Sequence, residues 1–143
     1  MLTNLTARHL QIFLNVRPSM NKTNFAESIL EQYRNGQRYF FDLDLENESF
    51  DDQNLQDAVF ENCFLYSSFR RANLRNTKFI NGNIKTCDFR EADLTNAHFE
   101  NLAVESSQFA RAKIDGIYFC NNSAYGQKVT RVDFDEWIKD HEE

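Results

Sequence analysis

From Phe40 to Phe119 an apolar residue recurs at every fifth position. Phe40, Phe60, Phe79, Phe99 and Phe119 fall at spacings of 20, 19, 20 and 20 residues. Between them come Leu45, Phe50, Leu55, then Phe69, Leu74, Ile84, Phe89, Leu94, Val104, Phe109 and Ile114. One step is a residue short, between Asn62 and Ser67, where either Phe64 or Leu65 fills the slot. Seventeen consecutive slots are thus Phe, Leu, Ile or Val, types that supply only 38 of the 143 residues, so the pattern is not chance. A period of five fits neither a helix nor a strand. It fits a chain that turns about a quarter circle per unit and points one side chain inward each time.

Four such units close one coil, and residue n then stacks on residue n+20. Phe50, Phe69, Phe89 and Phe109 form a second phenylalanine column, and Leu55, Leu74, Leu94 and Ile114 an aliphatic one. Leu45, Ile84 and Val104 line the remaining side. A second inward position, two residues before each main one, sits in a corner and should be small. It holds Ala58, Ser67, Ala72, Thr77, Gly82, Cys87, Ala92, Ala97, Ser107 and Ala112, with Leu102 and Ile117 as larger exceptions. Asn62, Asn81, Asn101 and Asn121 each follow a column phenylalanine by two residues. Asn tolerates the left-handed turn conformation, so a ladder of turns is expected there.

Ala72-Asn73-Leu74, Ala92-Asp93-Leu94 and Ala112-Lys113-Ile114, each 20 residues apart, resemble the Ala-(Asp/Asn)-Leu signature of pentapeptide repeat proteins. The resemblance covers about residues 39–119. It implies an all-β solenoid, a right-handed quadrilateral β-helix of about four coils, with short flanking α-helices as caps. In the first coil Leu43, Glu48 and Gln53 take the small-residue slot, so that coil is expected to be distorted or partly open.

The chain divides into an N-terminal helical cap (1–38, with 1–19 as an extension), the repeat solenoid (39–124) and a C-terminal segment with a short helix (125–143). Asn24 and Glu27 read as a capping box opening a helix through Arg34, with Asn35-Gly36 as its stop and Phe25, Ile29 and Tyr33 on one face. A further short helix over residues 5–16, ended by Pro18, is expected, though Met20 could equally begin the folded unit. At the other end Asp133 and Glu136 read as a second capping box, and Phe134, Trp137 and Ile138 mark an apolar helix face. Those three are the candidate cap contact. The resemblance adds a homodimer contact, like that of the C-terminal helices of the family's gyrase inhibitors.

Composition adds exclusions. No stretch approaches a membrane span, and no leader-like basic and apolar run opens the chain, so the cytoplasm is the expected compartment. Cys63 and Cys87 sit at or near inward corners and read as small core residues. His9, His98 and His141 are far apart, and no metal-ligand spacing, phosphate loop or nucleophile elbow occurs. A convex wall offers no closed pocket for carboxylates. A non-enzymatic protein without cofactor or metal is expected.

Charge carries the functional reading. Residues 42–61 hold eight acids and no base, whereas 70–90 hold Arg70, Arg71, Arg75, Lys78, Lys85 and Arg90 against Asp88. Stacking sets Asp51 under Arg70 and produces an alternating row of Asp52, Arg71, Glu91 and Arg111. Asp42, Asp44, Glu46, Asp57 and Glu61 lack an obvious basic neighbour unless Arg34 and Arg38 fold back onto them. They are the candidate partner-binding residues, suited to a basic protein. The alternative, implied by the resemblance, is a DNA mimic that inhibits a topoisomerase such as gyrase. Four coils span about 19 Å, over which B-DNA would carry about 11 charges. Residues 39–119 hold 14 acids and 8 bases with alternating sign, which favours a rigid protein-interaction scaffold or regulator. Direct binding of nucleic acid is not expected.

Overall fold

The structure, a computed structural model, describes residues 25–141. The helix expected over 5–16 and the capping residue Asn24 lie outside these residues. Helix α1 (Phe25–Arg34) leads into β1 (Tyr39–Phe41), β2 (Val59–Glu61), β3 (Lys78–Asn83), β4 (His98–Ala103) and β5 (Tyr118–Cys120), paired in parallel in that order. The register aligns Phe40, Phe60, Phe79, Phe99 and Phe119. Parallel bridges join the other three sides, through Asp44–Phe64–Asn83, Ser49–Ser68–Asp88–Gln108 and Asn54–Asn73–Asp93–Lys113. The result is a four-walled β-solenoid of about four coils. We number the walls from 1, the Phe40 wall, to 4, the Leu55 wall, in chain order.

The five-residue period has a backbone cause. From Asp42 to Asn121, the residue two places after each inward side chain has φ between 56° and 70°. On walls 3 and 4, and on wall 2 from Ile84 onward, the next N–H returns to the carbonyl three residues earlier, as Ala72 to Phe69 and Ala97 to Leu94 do. A left-handed residue at the third place of such a turn is what Asn, Asp and Gly tolerate best. The expected asparagine ladder forms: Asn121 donates to Asn101 at 2.9 Å, Asn101 to Asn81 at 2.8 Å, and Asn62 to Asp42 at 2.6 Å. The series skips one place, after Leu65. Leu65 is buried and Phe64 is 45% exposed, so Leu65 fills the ambiguous slot. The missing residue is the left-handed one between Tyr66 and Ser67.

Inside, rings stack within each phenylalanine column and meet the other column edge to face. Phe89 lies 5.2 and 5.1 Å from Phe69 and Phe109, and 5.5 and 5.6 Å from Phe79 and Phe99. Corner side chains reach toward the coil below: Thr77 Oγ1 donates to the Leu55 carbonyl at 3.1 Å and Ser107 Oγ to Ile84 at 2.6 Å. This satisfies buried hydroxyls and explains why the corners are small. Gly82 is the extreme case, since a Cβ there would sit 2.5 Å from the Cys63 carbonyl oxygen.

The same geometry overturns the expectation of an open first coil. Its Leu45, Phe50 and Leu55 are fully buried, and its Asp44, Ser49 and Asn54 bridge the second coil. Among the described residues no coil lies below it, so its corners have room for larger side chains. Leu43 joins Ile29 and Leu30 of α1 in the core, and Glu48 accepts from the Ala26 N–H at 3.0 Å. Helix α1 ends at Gly36 (φ 104°), with Gly36 N–H bonded to Tyr33 and Gln37 N–H to Gln32, a Schellman closure. At the far end β6 (Asn122–Ala124) and β7 (Gln127–Val129) make an antiparallel hairpin through left-handed Tyr125 and Gly126. Helix α2 (Arg131–Asp140) follows. Its capping box is Thr130 with Asp133, not Asp133 with Glu136: the Thr130 hydroxyl accepts from Asp133 N–H, and the Asp133 carboxylate accepts from Thr130 N–H. The helix therefore begins three residues earlier than a capping box at Asp133 would place it.

Walls 3 and 4 are laced by opposite charges. Arg71 pairs with Asp52 at 2.8 Å and with Glu91 at 3.8 Å, and Arg111 with Glu91 at 3.1 Å, completing the expected row. Asp51 differs: it accepts from the Arg70 backbone N–H and the Ser68 hydroxyl, while the Arg70 guanidinium turns up toward Asp88. Asp88 also takes a two-pronged bond from Arg90, at 2.9 and 2.7 Å. Burial alone would raise the Asp88 carboxyl, but the Arg90 side chain and backbone N–H, with both guanidinium charges, hold it below the usual carboxylate range.

Two outcomes follow for stability. Phe89→Ala should cost about 3–5 kcal/mol, the penalty for emptying a buried aromatic site. Phe64→Ala, the same change on an outward position, should cost about 1 kcal/mol or less in the same urea titration. Similar losses at both would overturn the inward and outward assignment. A carboxyl depressed in the folded state stabilises the protein above its unfolded value and loses that contribution as pH falls through the folded value. Stability should accordingly drop below about pH 4, and Asp88→Asn should flatten that drop. An acid limb unchanged in Asp88→Asn would assign the sensitivity to other carboxyls.

Candidate interaction surface

Strand alternation decides what each wall shows to solvent. On wall 1 the outward residues flank the phenylalanine column: Tyr39, Val59, Lys78, His98 and Tyr118 on one side, Phe41, Glu61, Ile80, Glu100 and Cys120 on the other. His98 is half-buried, stacked on Tyr118 at 4.3 Å and bonded to Glu100 at 2.8 Å, rather than freely solvated. Wall 2 shows Asp44, Phe64 and Asn83 in one bridged column. One residue beyond the inward column lie Glu46, Tyr66, Lys85 and Glu105, with Lys85 paired to Glu105 at 3.4 Å.

The five candidate acids do not form one cluster. Asp42, Asp44, Glu46 and Glu61 gather around the corner between walls 1 and 2, whereas Asp57 lies at the opposite edge of wall 1. Asp57 accepts from Asn76 at 3.1 Å and Glu61 from the Tyr39 hydroxyl at 2.7 Å. Asp42 takes the last rung of the asparagine ladder. Asp42 and Glu61 also line a shallow groove of about 430 Å³ with Tyr39, Phe41, Asn62 and Asn81. Asp44 and Glu46 are exposed and have no hydrogen bond or ion pair with another described residue. Among the described residues, Arg34 and Arg38 do not fold back onto these acids. Arg34 pairs with Glu27 at 2.9 Å, and Arg38 bonds the carbonyls of Tyr33 and Gln37 and lies over the Tyr33 ring.

Beside these acids the wall carries Phe64 and Tyr66, with ring centroids 6.4 Å apart. The sequence contained a signal for this: Leu65 lies 20 residues after Leu45, which leaves Phe64 on the outward side of the strand. The five-residue period alone could not choose between the two neighbours.

At the C-terminal end, Phe134 stacks on Phe119 at 4.2 Å and meets Phe109 edge-on at 4.9 Å. Phe134 and Ile138 are buried in the core, and Trp137 is half-buried against Phe109. Two shallow cavities of about 360 and 460 Å³ flank Trp137, the first mostly apolar. Burial pushes the Cys63 and Cys87 thiols up to about 12, so neither is a nucleophile at neutral pH. Among the described residues no cluster of His, Cys, Asp or Glu could hold a metal ion, and no helix is long and apolar enough to cross a membrane.

Comparison with known proteins agrees with this geometry. No curated protein sequence matches the chain. Two solved structures of QnrB1, a plasmid-mediated fluoroquinolone resistance protein, are similar in fold. The full-length form gives a TM-score of 0.59 at 18% identity over 62% of this chain, and a trypsin-treated form gives 0.58 at 19% identity over 59%. The matched regions are 51% and 45% of those chains, so this chain spans about half of QnrB1. The pentapeptide repeat protein alr5209 from Nostoc PCC 7120 matches over 75% of this chain and 91% of its own, with a TM-score of 0.40 and 18% identity. The family model described as "Pentapeptide repeat region" matches residues 53–128, more than half of the chain, and this protein belongs to the pentapeptide repeat family.

Proposed function

We propose that this pentapeptide repeat protein is a non-enzymatic interaction scaffold whose acidic side, at walls 1 and 2, receives a basic protein partner. The observation that carries the reading is the unequal treatment of charge around the solenoid. On walls 3 and 4 acids and bases answer one another between coils, as in the row Asp52, Arg71, Glu91 and Arg111. On walls 1 and 2, by contrast, Asp44 and Glu46 face solvent with no ion pair to another described residue. Like charges held on a rigid wall repel one another, and a cationic partner relieves that repulsion. The solenoid presents them without a loop to order on binding, which lowers the entropic cost of association.

The same distribution weighs against mimicry of DNA. A mimic needs one continuous run of negative charge along the solenoid axis. Here Lys78 interrupts wall 1, Lys85 interrupts wall 2, and walls 3 and 4 alternate in sign. The likeness to a fluoroquinolone resistance protein is one of fold and extends over about half of that protein. For α2 the reading is an end cap, because Phe134 and Ile138 already cover the last rings of the phenylalanine columns.

No inhibition of gyrase supercoiling is expected at micromolar protein. Inhibition that disappears on neutralising Asp51, Asp52 and Asp57 would replace the scaffold reading with mimicry. Binding to a purified partner recovered from the native host should weaken steeply with salt, and also in the double variant Asp57→Asn with Glu61→Gln or in Asp44→Asn with Glu46→Gln. Affinity unchanged in both variants would move the site to another wall or to Trp137.

A further inference from the structure

We infer that the partner segment is an extended strand with arginines two residues apart, read by Phe64 and Tyr66 on wall 2 together with Asp44 and Glu46. This rests on the scaffold reading above and specifies its site and the chemistry of its partner. Phe64 is 45% exposed at a position filled by Asp44 below and Asn83 above. The side chain that should be polar on a solvent-facing wall is thus a large apolar ring. Tyr66 is its neighbour two residues along, on the same face, and the ring centroids are 6.4 Å apart.

Each ring has an acid in the coil directly beneath it. Asp44 bridges Phe64, and the Asn47 N–H bonds the Tyr66 carbonyl at 2.8 Å, which sets Glu46 beside Tyr66. Coil spacing puts the backbone of each acid about 4.8 Å below that of the aromatic residue above it. The motif is therefore an aromatic face above a carboxylate, repeated twice. A guanidinium satisfies both halves: its plane stacks on the ring while its edge donates two bonds to the carboxylate. An ammonium has no plane to stack and no fork to match.

The spacing selects the backbone of the partner. In an extended chain, side chains two residues apart lie on one face at about 6.6–6.8 Å, close to the distance between the two rings. Consecutive arginines would point to opposite faces and could use only one ring. Above this pair the surface changes character, because Asn83 lies over Phe64 and Lys85, held by Glu105, lies over Tyr66, so the aromatic-over-acid motif does not continue into the next coil. The recognition unit is therefore Arg-X-Arg with X facing away from the wall.

The test is a titration of the isotopically labelled full chain, followed by amide chemical shifts, with three capped peptides. They are Thr-Arg-Thr-Arg-Thr, its isomer Thr-Arg-Arg-Thr-Thr, and Thr-Lys-Thr-Lys-Thr. The first should bind saturably, with shifts centred on residues 44–46 and 64–66, and about fivefold more tightly than either control. Phe64→Ser should weaken it by about fivefold. Asp44→Asn should weaken it too and, being a mild surface change, serves if the serine variant does not fold. Equal binding of the three peptides, or shifts centred on other acids such as Asp57, would overturn the assignment. If no peptide binds while a host partner still binds the full chain, the assignment falls and the scaffold reading stands.

Discussion

The left-handed residue at all but one of the corners is the constraint on which the rest of this structure depends. A chain that places φ near 60° at every fifth position must turn inward side chains onto four walls and return above its starting point. Once it does so, every coil offers N–H and C=O groups to the next, and the phenylalanine columns come into stacking contact. Neither term stands alone. Without the stacked rings a left-handed Arg71, Thr86 or Glu91 would be strained with nothing to hold it there. Without the turns the rings could not meet at 5.0–6.3 Å along a column.

The corners between walls 3 and 4 show two demands in competition. Asn, Asp or Gly suits the backbone best there, yet the column above Asp52 runs Arg71, Glu91, Arg111. Each of these long side chains carries a left-handed φ and answers the charge in an adjacent coil. At the corner between walls 1 and 2, by contrast, asparagines continue the ladder and leave the acids nearby without charged partners from it. One half of the solenoid thus settles its electrostatics internally. On the other half Asp44 and Glu46 face solvent with no ion pair to another described residue.

The ends show how a repeat stops. Bottom corners accept Leu43 and Glu48 because α1, rather than another coil, packs against them. At the top, Asn122 takes a corner position as a buried polar residue. Its Oδ1 accepts from the Leu102 N–H at 2.9 Å, and its Nδ2 donates to the Phe99 carbonyl at 3.0 Å. The hairpin β6–β7 then turns the chain back, and α2 lays Phe134 on Phe119.

The sequence by itself determined the four walls, the phenylalanine columns, the small corners and the asparagine ladder, because each is a strictly local pattern repeated at a fixed interval. It also marked the acidic first coil, since composition along the chain maps directly onto height in a solenoid. Only the tertiary structure decided where charges are cancelled. Asp51 prefers a backbone N–H to the guanidinium above it, Arg38 stacks on Tyr33, and Asp44 and Glu46 are left beside Phe64. Those outcomes depend on which long side chain reaches which neighbour across coils, and a linear spacing does not contain that distance. The closed first coil and the exposed Phe64 have the same origin: whether a side chain is crowded or bare depends on what lies one coil away.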